Sequence, residues 1–120
     1  MYADSLRVSR ETLGDRHPST LSSMNNMAGL FEAQGRYDEA EPLYAECLRV
    51  RRETLGDRHP DTLVSMNKMA DLFKSNGRYD EAEPLYAESL RVSRETLGDR
   101  HPYTLISMNN MAALFESQEK

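Results

Sequence analysis

Apolar residues recur along the chain at the three- and four-residue spacing of amphipathic helices. In the first complete series they are Leu21, Met24, Met27, Ala28, Leu30 and Phe31. A second series follows Gly35 and contains Tyr37, Ala40, Leu43, Tyr44, Cys47, Leu48 and Val50. Both have a period of about 3.6 residues, which is typical of helices and not of strands. The pattern predicts two helices, helix A and helix B, joined by a very short turn.

Proline and glycine mark where these helices begin and end. Pro18 occupies the first position of helix A, where its missing N–H would have no partner, and His17 precedes it as a cap. Gly35 supplies a left-handed end to helix A. Pro42 lies about one turn into helix B, so we expect a slight bend there and not a break.

The whole pattern returns every 42 residues, as shown by Gly14, Gly56, Gly98, His17, His59 and His101. A fixed period of this length is the signature of stacked repeats, in which each unit buries its apolar face on its neighbours. The predicted helices span 2–13, 18–34, 37–55, 60–76, 79–97 and 102–118, in the order B–A–B–A–B–A. We interpret residues 1–120 as one repeat array. Both ends fall inside a repeat, so the chain is expected to be a segment of a longer array.

Large, small, aromatic and glycine residues follow a fixed order, given in the first copy by Met24, Met27, Ala28, Phe31, Gly35, Tyr37, Ala40, Tyr44 and Cys47. This order resembles the tetratricopeptide repeat. Met24 stands where that family most often has Trp, and the unit of 42 residues is longer than the usual one of about 34. The Leu-Gly-x-x-His-Pro linker is similar to that of kinesin light chains. The resemblance implies an all-α fold, a right-handed α-solenoid of stacked antiparallel helix pairs.

The net charge and the distribution of apolar residues argue against nucleic acids and membranes as partners. The formal net charge of −5 argues against a general nucleic-acid binder, because such domains carry a clustered basic surface. No apolar run approaches the roughly 18–20 residues that cross a bilayer, and no secretory signal opens the chain. We therefore expect a soluble, intracellular protein with neither a nucleic-acid nor a membrane partner. The single Cys47 cannot form an internal disulfide.

Catalytic and metal chemistry is not indicated. The histidines recur once per repeat, which in a stack places them about 10 Å apart, too far to share one metal ion. Capping of helix A is the better interpretation of these residues. Cys47 occupies a position that holds serine in the other copies, so we interpret it as a small packing residue. No nucleophile or acid–base pair stands apart from the repeated background. The prediction is no enzyme activity, no cofactor and no metal site.

A polar stripe on helix A is the candidate binding surface. In stacked helical hairpins helix A lines the concave side, so by resemblance this stripe forms a groove wall. The predicted binding residues are Asn25, Gly29, Glu32, Val64, Asn67, Asp71, Lys74, Asn109, Ala113 and Glu116. Asn25, Asn67 and Asn109 share one position. Asparagine amides can donate to and accept from the main chain of an extended peptide, as equivalent residues do in kinesin-light-chain-like repeats. Alternatively, each asparagine stabilises the stack.

The copies differ from one another on this same stripe. Differences between residues 1–42 and 43–84 include Ser22/Val64, Gly29/Asp71, Glu32/Lys74 and Ala33/Ser75. Two interpretations remain open. In the first, the differences mark ligand-reading positions. In the second, exposed positions simply drift, since Ser9 and Arg51 also differ on helix B.

These observations predict a protein–protein interaction scaffold that binds a peptide segment on the concave helix A face. The alternative is a structural spacer or self-assembly module without a dedicated ligand. Because the two ends of the array are complementary and carry no polar cap, head-to-tail self-association is also expected.

Overall fold

The computed structural model describes residues 2–14 and 16–118, with side chains from Leu6 onward. Within these residues the chain forms helices and no strand. The helices are α1 (Tyr2–Leu13), α2 (Pro18–Ala33), α3 (Tyr37–Leu55), α4 (Pro60–Ser75), α5 (Tyr79–Leu97) and α6 (Pro102–Gln118). Their ends lie within one residue of the predicted ends. The all-α prediction is confirmed, and α3 continues through Pro42 without a break.

Each A helix begins with a histidine cap. The imidazole Nδ1 accepts a hydrogen bond from the backbone N–H two residues later, and the intervening residue is a proline without an N–H. The pairs are His17 with Ser19 (3.0 Å), His59 with Asp61 (3.0 Å) and His101 with Tyr103 (3.1 Å). The predicted capping role of the histidines is confirmed.

Loss of one cap should lower stability measurably. We expect His59→Ala to reduce the free energy of unfolding by about 1 kcal/mol, because the N–H of Asp61 loses its acceptor. His59→Asp supplies a carboxylate acceptor and is the matched control, with most of the stability retained. Urea denaturation measures both. Equal midpoints for His59→Ala and the unsubstituted chain would show that the cap contributes nothing.

Helix A ends at a glycine in the left-handed conformation. At Gly35 φ is +77°, and the N–H of Arg36 turns back to the carbonyl of Phe31 at 2.8 Å. This is a Schellman ending, in which a residue with a Cβ would be strained. The guanidinium of Arg36 then lies over the Phe31 ring, with 4.6 Å from Cζ to the ring centre. The same turn and stacking recur at Gly77.

The chain divides into two compact units, Met1–Val50 and Arg51–Lys120. In the first unit α1 packs on α2. Its core consists of the buried side chains Leu6, Leu21, Met24, Cys47 and Val50. The Cys47 thiol is fully buried and donates to the carbonyl of Leu21 at 3.6 Å, as expected for a packing residue.

In the second unit α4 packs on α5, and α5 packs on α6. Residues 76–78 connect α4 and α5. Because the two helices pack on each other and the turn between them is so short, they run antiparallel. The buried apolar side chains of this unit are Leu63, Met66, Met69, Ala70, Leu72, Phe73, Ala82, Tyr86, Val92 and Leu114.

Burial differs between equivalent residues of the apolar series. Among the methionines of helix A, Met24, Met66 and Met69 are buried, and Met27, Met108 and Met111 are half-buried. Leu30 belongs to the apolar series of helix A and is exposed, whereas its equivalents Leu72 and Leu114 are buried. This position lies roughly 120° around the helix from Met24, at the edge of the apolar arc. Its burial therefore depends on what the neighbouring helix supplies.

Ion pairs connect successive B helices within each unit. Arg10 of α1 pairs with Glu46 of α3 at 3.4 Å, and in the second unit Arg52 pairs with Glu88 of α5 at 3.1 Å. The two pairs occupy equivalent positions one repeat apart. Such partly exposed pairs contribute about 0–1 kcal/mol each, so they help to align the helices and add little stability.

Candidate functional site

In the first unit two of the predicted binding residues of α2, Gly29 and Glu32, lie beside Tyr44 of α3. The Tyr44 hydroxyl donates to Oε1 of Glu32 at 3.0 Å. Gly29 lies next to the same hydroxyl, since a Cβ added there would be 3.6 Å from the tyrosine oxygen. Asn25 is half-buried, and its Oδ1 is buried without a hydrogen-bond partner. Glu32 is therefore engaged by the fold itself.

The second unit has the equivalent tyrosine, but its carboxylate acceptor comes from a different position of helix A. Tyr86, equivalent to Tyr44, is buried and its hydroxyl donates to Oδ1 of Asp71. Asp71 stands where α2 has Gly29, and Lys74 stands where α2 has Glu32. The acceptor for the tyrosine hydroxyl has thus shifted by one helical turn, from the second of these positions to the first.

The copies therefore differ at these two positions for a reason of packing. Each tyrosine hydroxyl donates to a carboxylate, that of Glu32 in the first unit and that of Asp71 in the second. A copy with both acids would bring two carboxylates close to one hydroxyl. The α6 copy carries Ala113 and Glu116, the arrangement of α2. Neither ligand reading nor surface drift is needed to explain this exchange.

Burial raises the pKa of the Asp71 carboxyl above its ordinary value of 3.8. The hydrogen bond from Tyr86 and the nearby charges of Lys68 and Lys74 act in the opposite direction and do not overcome it. The charged carboxylate is thus disfavoured in the folded chain relative to the unfolded chain.

This shift has a defined effect on stability. A carboxyl whose pKa is raised by folding binds its proton more readily in the folded state, so its contribution to stability rises as pH falls through the folded pKa, and the gain is complete below 3.8. Asp71→Asn keeps an oxygen acceptor for Tyr86 and removes the charge. We expect the variant to be more stable than the unsubstituted chain at pH 7 and the difference to shrink as pH falls toward 4. Thermal unfolding across this range measures it, and a difference that grows on acidification would contradict the assignment.

The three equivalent asparagines have different surroundings. Asn67 is buried, with 8% of its surface exposed, and its Nδ2 donates to the hydroxyl of Tyr103 at 2.9 Å. Its Oδ1 is buried without a partner. Asn109 of α6 is exposed, and Asn25 is intermediate. The three asparagines therefore differ in solvent exposure although they occupy the same position of the repeat.

Tyr103 was not predicted as part of the site. It is the second residue of α6, and the other copies have Ser19 and Asp61 at the equivalent position. The pKa of its hydroxyl is raised, mainly by burial and also by the charge of Asp71, while the hydrogen bond from Asn67 acts in the opposite direction. The hydroxyl is therefore neutral at physiological pH. The one feature of the sequence that could have pointed to Tyr103 is that the other copies have a different residue at this position.

The remaining predicted residues of this unit are open to different degrees. Val64 and Lys74 of α4 and Ala113 of α6 are half-buried, and Glu116 is exposed. Lys74 makes no hydrogen bond or ion pair with a described residue, although its charge acts on Asp71. Within this unit the structure brings Asn67 and Asp71 into contact with tyrosines and leaves Lys74, Asn109 and Glu116 unengaged by the described side chains.

Arg51 does not support the alternative that exposed positions simply drift, because it is buried, with 9% of its surface exposed. Its guanidinium Nη1 donates to the carbonyl of Asp61 at 3.1 Å and to Oγ of Ser65 at 2.9 Å. The equivalent Ser93 is also buried. The difference between these copies is a difference in core packing.

The described residues offer no metal site. No group of three or more His, Cys, Asp or Glu side chains in residues 2–14 and 16–118 is placed to hold an ion. In the same part of the chain, no helix is long and apolar enough to cross a membrane.

The model of the tetratricopeptide repeat matches residues 1–52, 22–82 and 66–120, which together span the chain. The chain belongs to the tetratricopeptide repeat family. A kinesin-light-chain-like protein of Podosopora anserina with nearly identical repeats of this type superimposes with a TM-score of 0.90, at 27% identity, over 98% of this chain and 56% of that one. BtubC (BKLC) from P. vanneervenii shares the fold with a TM-score of 0.87 and 20% identity, over 98% of this chain and 47% of that one.

Similarity to curated tetratricopeptide repeat proteins is local. The mitochondrial tetratricopeptide repeat protein 19 of Homo sapiens is 48% identical over 40 residues, which are 33% of this chain and 10% of that protein. The Rattus norvegicus protein is 40% identical over 40 residues, 33% of this chain and 11% of that one. The predicted helical-repeat α-solenoid, of the kinesin-light-chain-like type, is confirmed. Tetratricopeptide repeats are generally protein–protein interaction modules, and such scaffold families are generally non-enzymatic.

Proposed function

We propose that this tetratricopeptide repeat chain captures an extended peptide segment of a protein partner on its helix A face. The observation that carries the proposal is hydrogen-bonding capacity that the fold leaves unused. The Oδ1 atoms of Asn25 and Asn67 are buried without a partner, and the amide of Asn109 is exposed. A buried polar atom without a partner costs about 1–3 kcal/mol, so a ligand that reached these oxygens would be favoured. The exposed amide of Asn109 is the one of the three that a ligand can reach directly in the described structure.

An extended peptide fits this requirement. Its main chain offers an N–H donor and a C=O acceptor at each residue, and an asparagine amide can pair with both. Such contacts depend on the peptide backbone and not on its sequence, so selectivity must come from neighbouring side chains. On α4 and α6 these neighbours are Val64, Lys74, Ala113 and Glu116, which supply apolar, cationic and anionic contacts. We therefore propose a partner segment of mixed charge with small apolar side chains.

Selection from a random peptide library followed by affinity measurement tests the proposal. Asn109→Ala is expected to raise the Kd of selected peptides about three- to tenfold, the effect of losing one hydrogen bond or two. Asn110→Ala removes the same chemical group one position further along α6 and is the matched control, with the Kd unchanged. If the two variants bind equally well, or if no peptide is enriched, capture through the asparagine position is wrong.

A self-assembly module is the second candidate, favoured by a cavity in the first unit. A cavity of about 510 Å³ is lined by Leu6, Arg7, Arg10, Glu11, Met27, Phe31 and Leu43. Met27 and Phe31 are half-buried there, whereas the equivalent Met69 and Phe73 are each only 7% exposed. We propose that α6 of a second copy fills this cavity, since Leu105 and Phe115, roughly 80° apart around α6, are exposed. Their apolar side chains match Leu6, Met27, Phe31 and Leu43 of the cavity lining.

Sedimentation velocity distinguishes assembly from peptide capture alone. The unsubstituted chain is expected to form head-to-tail oligomers whose size grows with concentration, because the contact joins two different faces. Phe115→Asp should shift the population to monomer while leaving the helical circular dichroism unchanged. A chain that remains monomeric at high concentration would contradict the self-assembly candidate and leave peptide capture unaffected.

A further inference from the structure

The amide of Asn67 is already occupied, and its occupant comes from the same chain. Its Nδ2 donates to the hydroxyl of Tyr103 at 2.9 Å, and 8% of the residue is exposed. Among the described residues the equivalent Asn109 of α6 is exposed. The amide of Asn67 is thus closed to solvent while that of Asn109 is accessible in the described part of the chain.

The cover arises from a single non-repeating residue. Tyr103 follows the His-Pro pair that starts α6, and the other copies have Ser19 and Asp61 at this position. Serine and aspartate are several bonds shorter than tyrosine. Only the tyrosine extends far enough from the start of α6 to place an oxygen at the amide of Asn67.

Tyr103 satisfies only one of the two polar groups of the Asn67 amide. The phenol hydroxyl accepts a hydrogen bond from the N–H of Asn67, but the Oδ1 atom of Asn67 remains buried without a partner. A peptide main chain presents both an acceptor and a donor and can satisfy both atoms. Exchange of the tyrosine for a peptide would therefore complete the hydrogen bonding of the amide.

We propose that Tyr103 is an internal competitor for the peptide-binding position at Asn67, and that it determines which asparagines of the helix A face read a ligand. While Tyr103 covers Asn67, main-chain contacts in the second unit are made by Asn109, and Asn67 takes part only when the tyrosine swings away. This inference rests on the peptide-capture function proposed above. Tyr103 is a specificity-determining residue of that function.

Tyr103→Ser and Tyr103→Asp test the proposal, since both replacements already occur at this position in the other copies. The probe is an N-acetylated, C-amidated (Gly-Ser)5 decapeptide, which offers a main chain without large side chains. Side-chain amide signals of Asn67 and Asn109 are followed by nuclear magnetic resonance during titration. Circular dichroism establishes that each variant is folded, and the two replacements provide independent chances of a folded protein.

In the unsubstituted chain, we expect the Asn109 signals to shift with the decapeptide and the Asn67 signals to remain in place. In the two variants both sets of signals should shift, with apparent Kd values within about threefold of each other. Asn67→Ala combined with Tyr103→Ser should return the decapeptide affinity to that of the unsubstituted chain.

Two results would overturn the inference while peptide capture stands. Equal Asn67 shifts in the unsubstituted chain and the variants would show that Tyr103 does not compete. Shifts at Asn109 without any at Asn67 in the variants would show that the uncovered amide takes no ligand. If neither amide responds in any of the proteins, main-chain capture itself is contradicted, and the role of Tyr103 with it.

Discussion

Replacing Arg51 by serine is expected to lower the free energy of unfolding by about 2–3 kcal/mol, although serine is the residue at the equivalent position of the neighbouring copies. The guanidinium is buried and donates to the carbonyl of Asp61 and the hydroxyl of Ser65. Serine would remove both of these hydrogen bonds and open a cavity where the side chain had packed. Chemical denaturation of Arg51→Ser measures the loss.

Arg51→Met is the control that separates packing from hydrogen bonding. Methionine fills much of the space, lacks the donors and removes the cost of a buried charge, so we expect a smaller loss of about 1 kcal/mol. The reciprocal change, Ser93→Arg, offers a donor to Ser107, whose Oγ is buried without a partner. If Arg51→Ser and Arg51→Met were both as stable as the unsubstituted chain, the guanidinium would have no structural role.

The second large effect is expected at Tyr86. Tyr86→Phe should lower the free energy of unfolding by about 1.5–3 kcal/mol, because a half-buried carboxylate on Asp71 loses the hydroxyl that donates to it. The ring itself is retained, so the change isolates the hydrogen bond from the packing of the aromatic side chain. Thermal and urea unfolding at pH 7 measure the difference.

A transfer between copies checks the physical explanation. Asp71→Ala removes the acceptor and should destabilise the chain, whereas Asp71→Ala combined with Lys74→Glu recreates the Ala113 and Glu116 arrangement and should restore stability. In the restored protein the hydroxyl of Tyr86 regains a carboxylate, as that of Tyr44 has in Glu32. An additive loss in the double variant would show that the exchange of carboxylates between these positions is not compensatory.

Local chemistry made the helices predictable. A proline at the first helical position, a glycine with positive φ at the end of helix A, and apolar residues at helical spacing each act through their immediate neighbours, as Pro18 and Gly35 illustrate. The histidine caps are equally local, since each connects residues two positions apart. The family resemblance drawn from these repeated positions is confirmed by the match along the chain.

Contacts between side chains at different positions of the repeat could not be predicted in the same way. Asn67 and Asn109 are identical in type and position, yet one is covered because Tyr103, 36 residues from Asn67, reaches it. The buried state of Arg51 likewise depends on partners in the next helix. Comparison of the copies considers one position of the repeat at a time, whereas each of these contacts joins two different positions of the repeat.

The structure gives the three equivalent asparagines different surroundings, which bears on the choice between a functional and a structural role. The amide of Asn67 donates a hydrogen bond to Tyr103 and leaves an unsatisfied oxygen. For Asn109 no described side chain engages the amide, so we propose a ligand role there. The ten residues predicted as binding residues thus remain a proposal, with Glu32 and Asp71 given structural partners by the fold.

The central claim is that a partner peptide lies on the helix A face. The most direct test is a map of backbone amide chemical shifts in the isotopically labelled chain on addition of a peptide selected from a random library. We predict that the shifted residues of the second unit fall on α4 and α6 around Lys74 and Asn109. Shifts confined to α3 and α5 would place the ligand on the B helices and contradict the account.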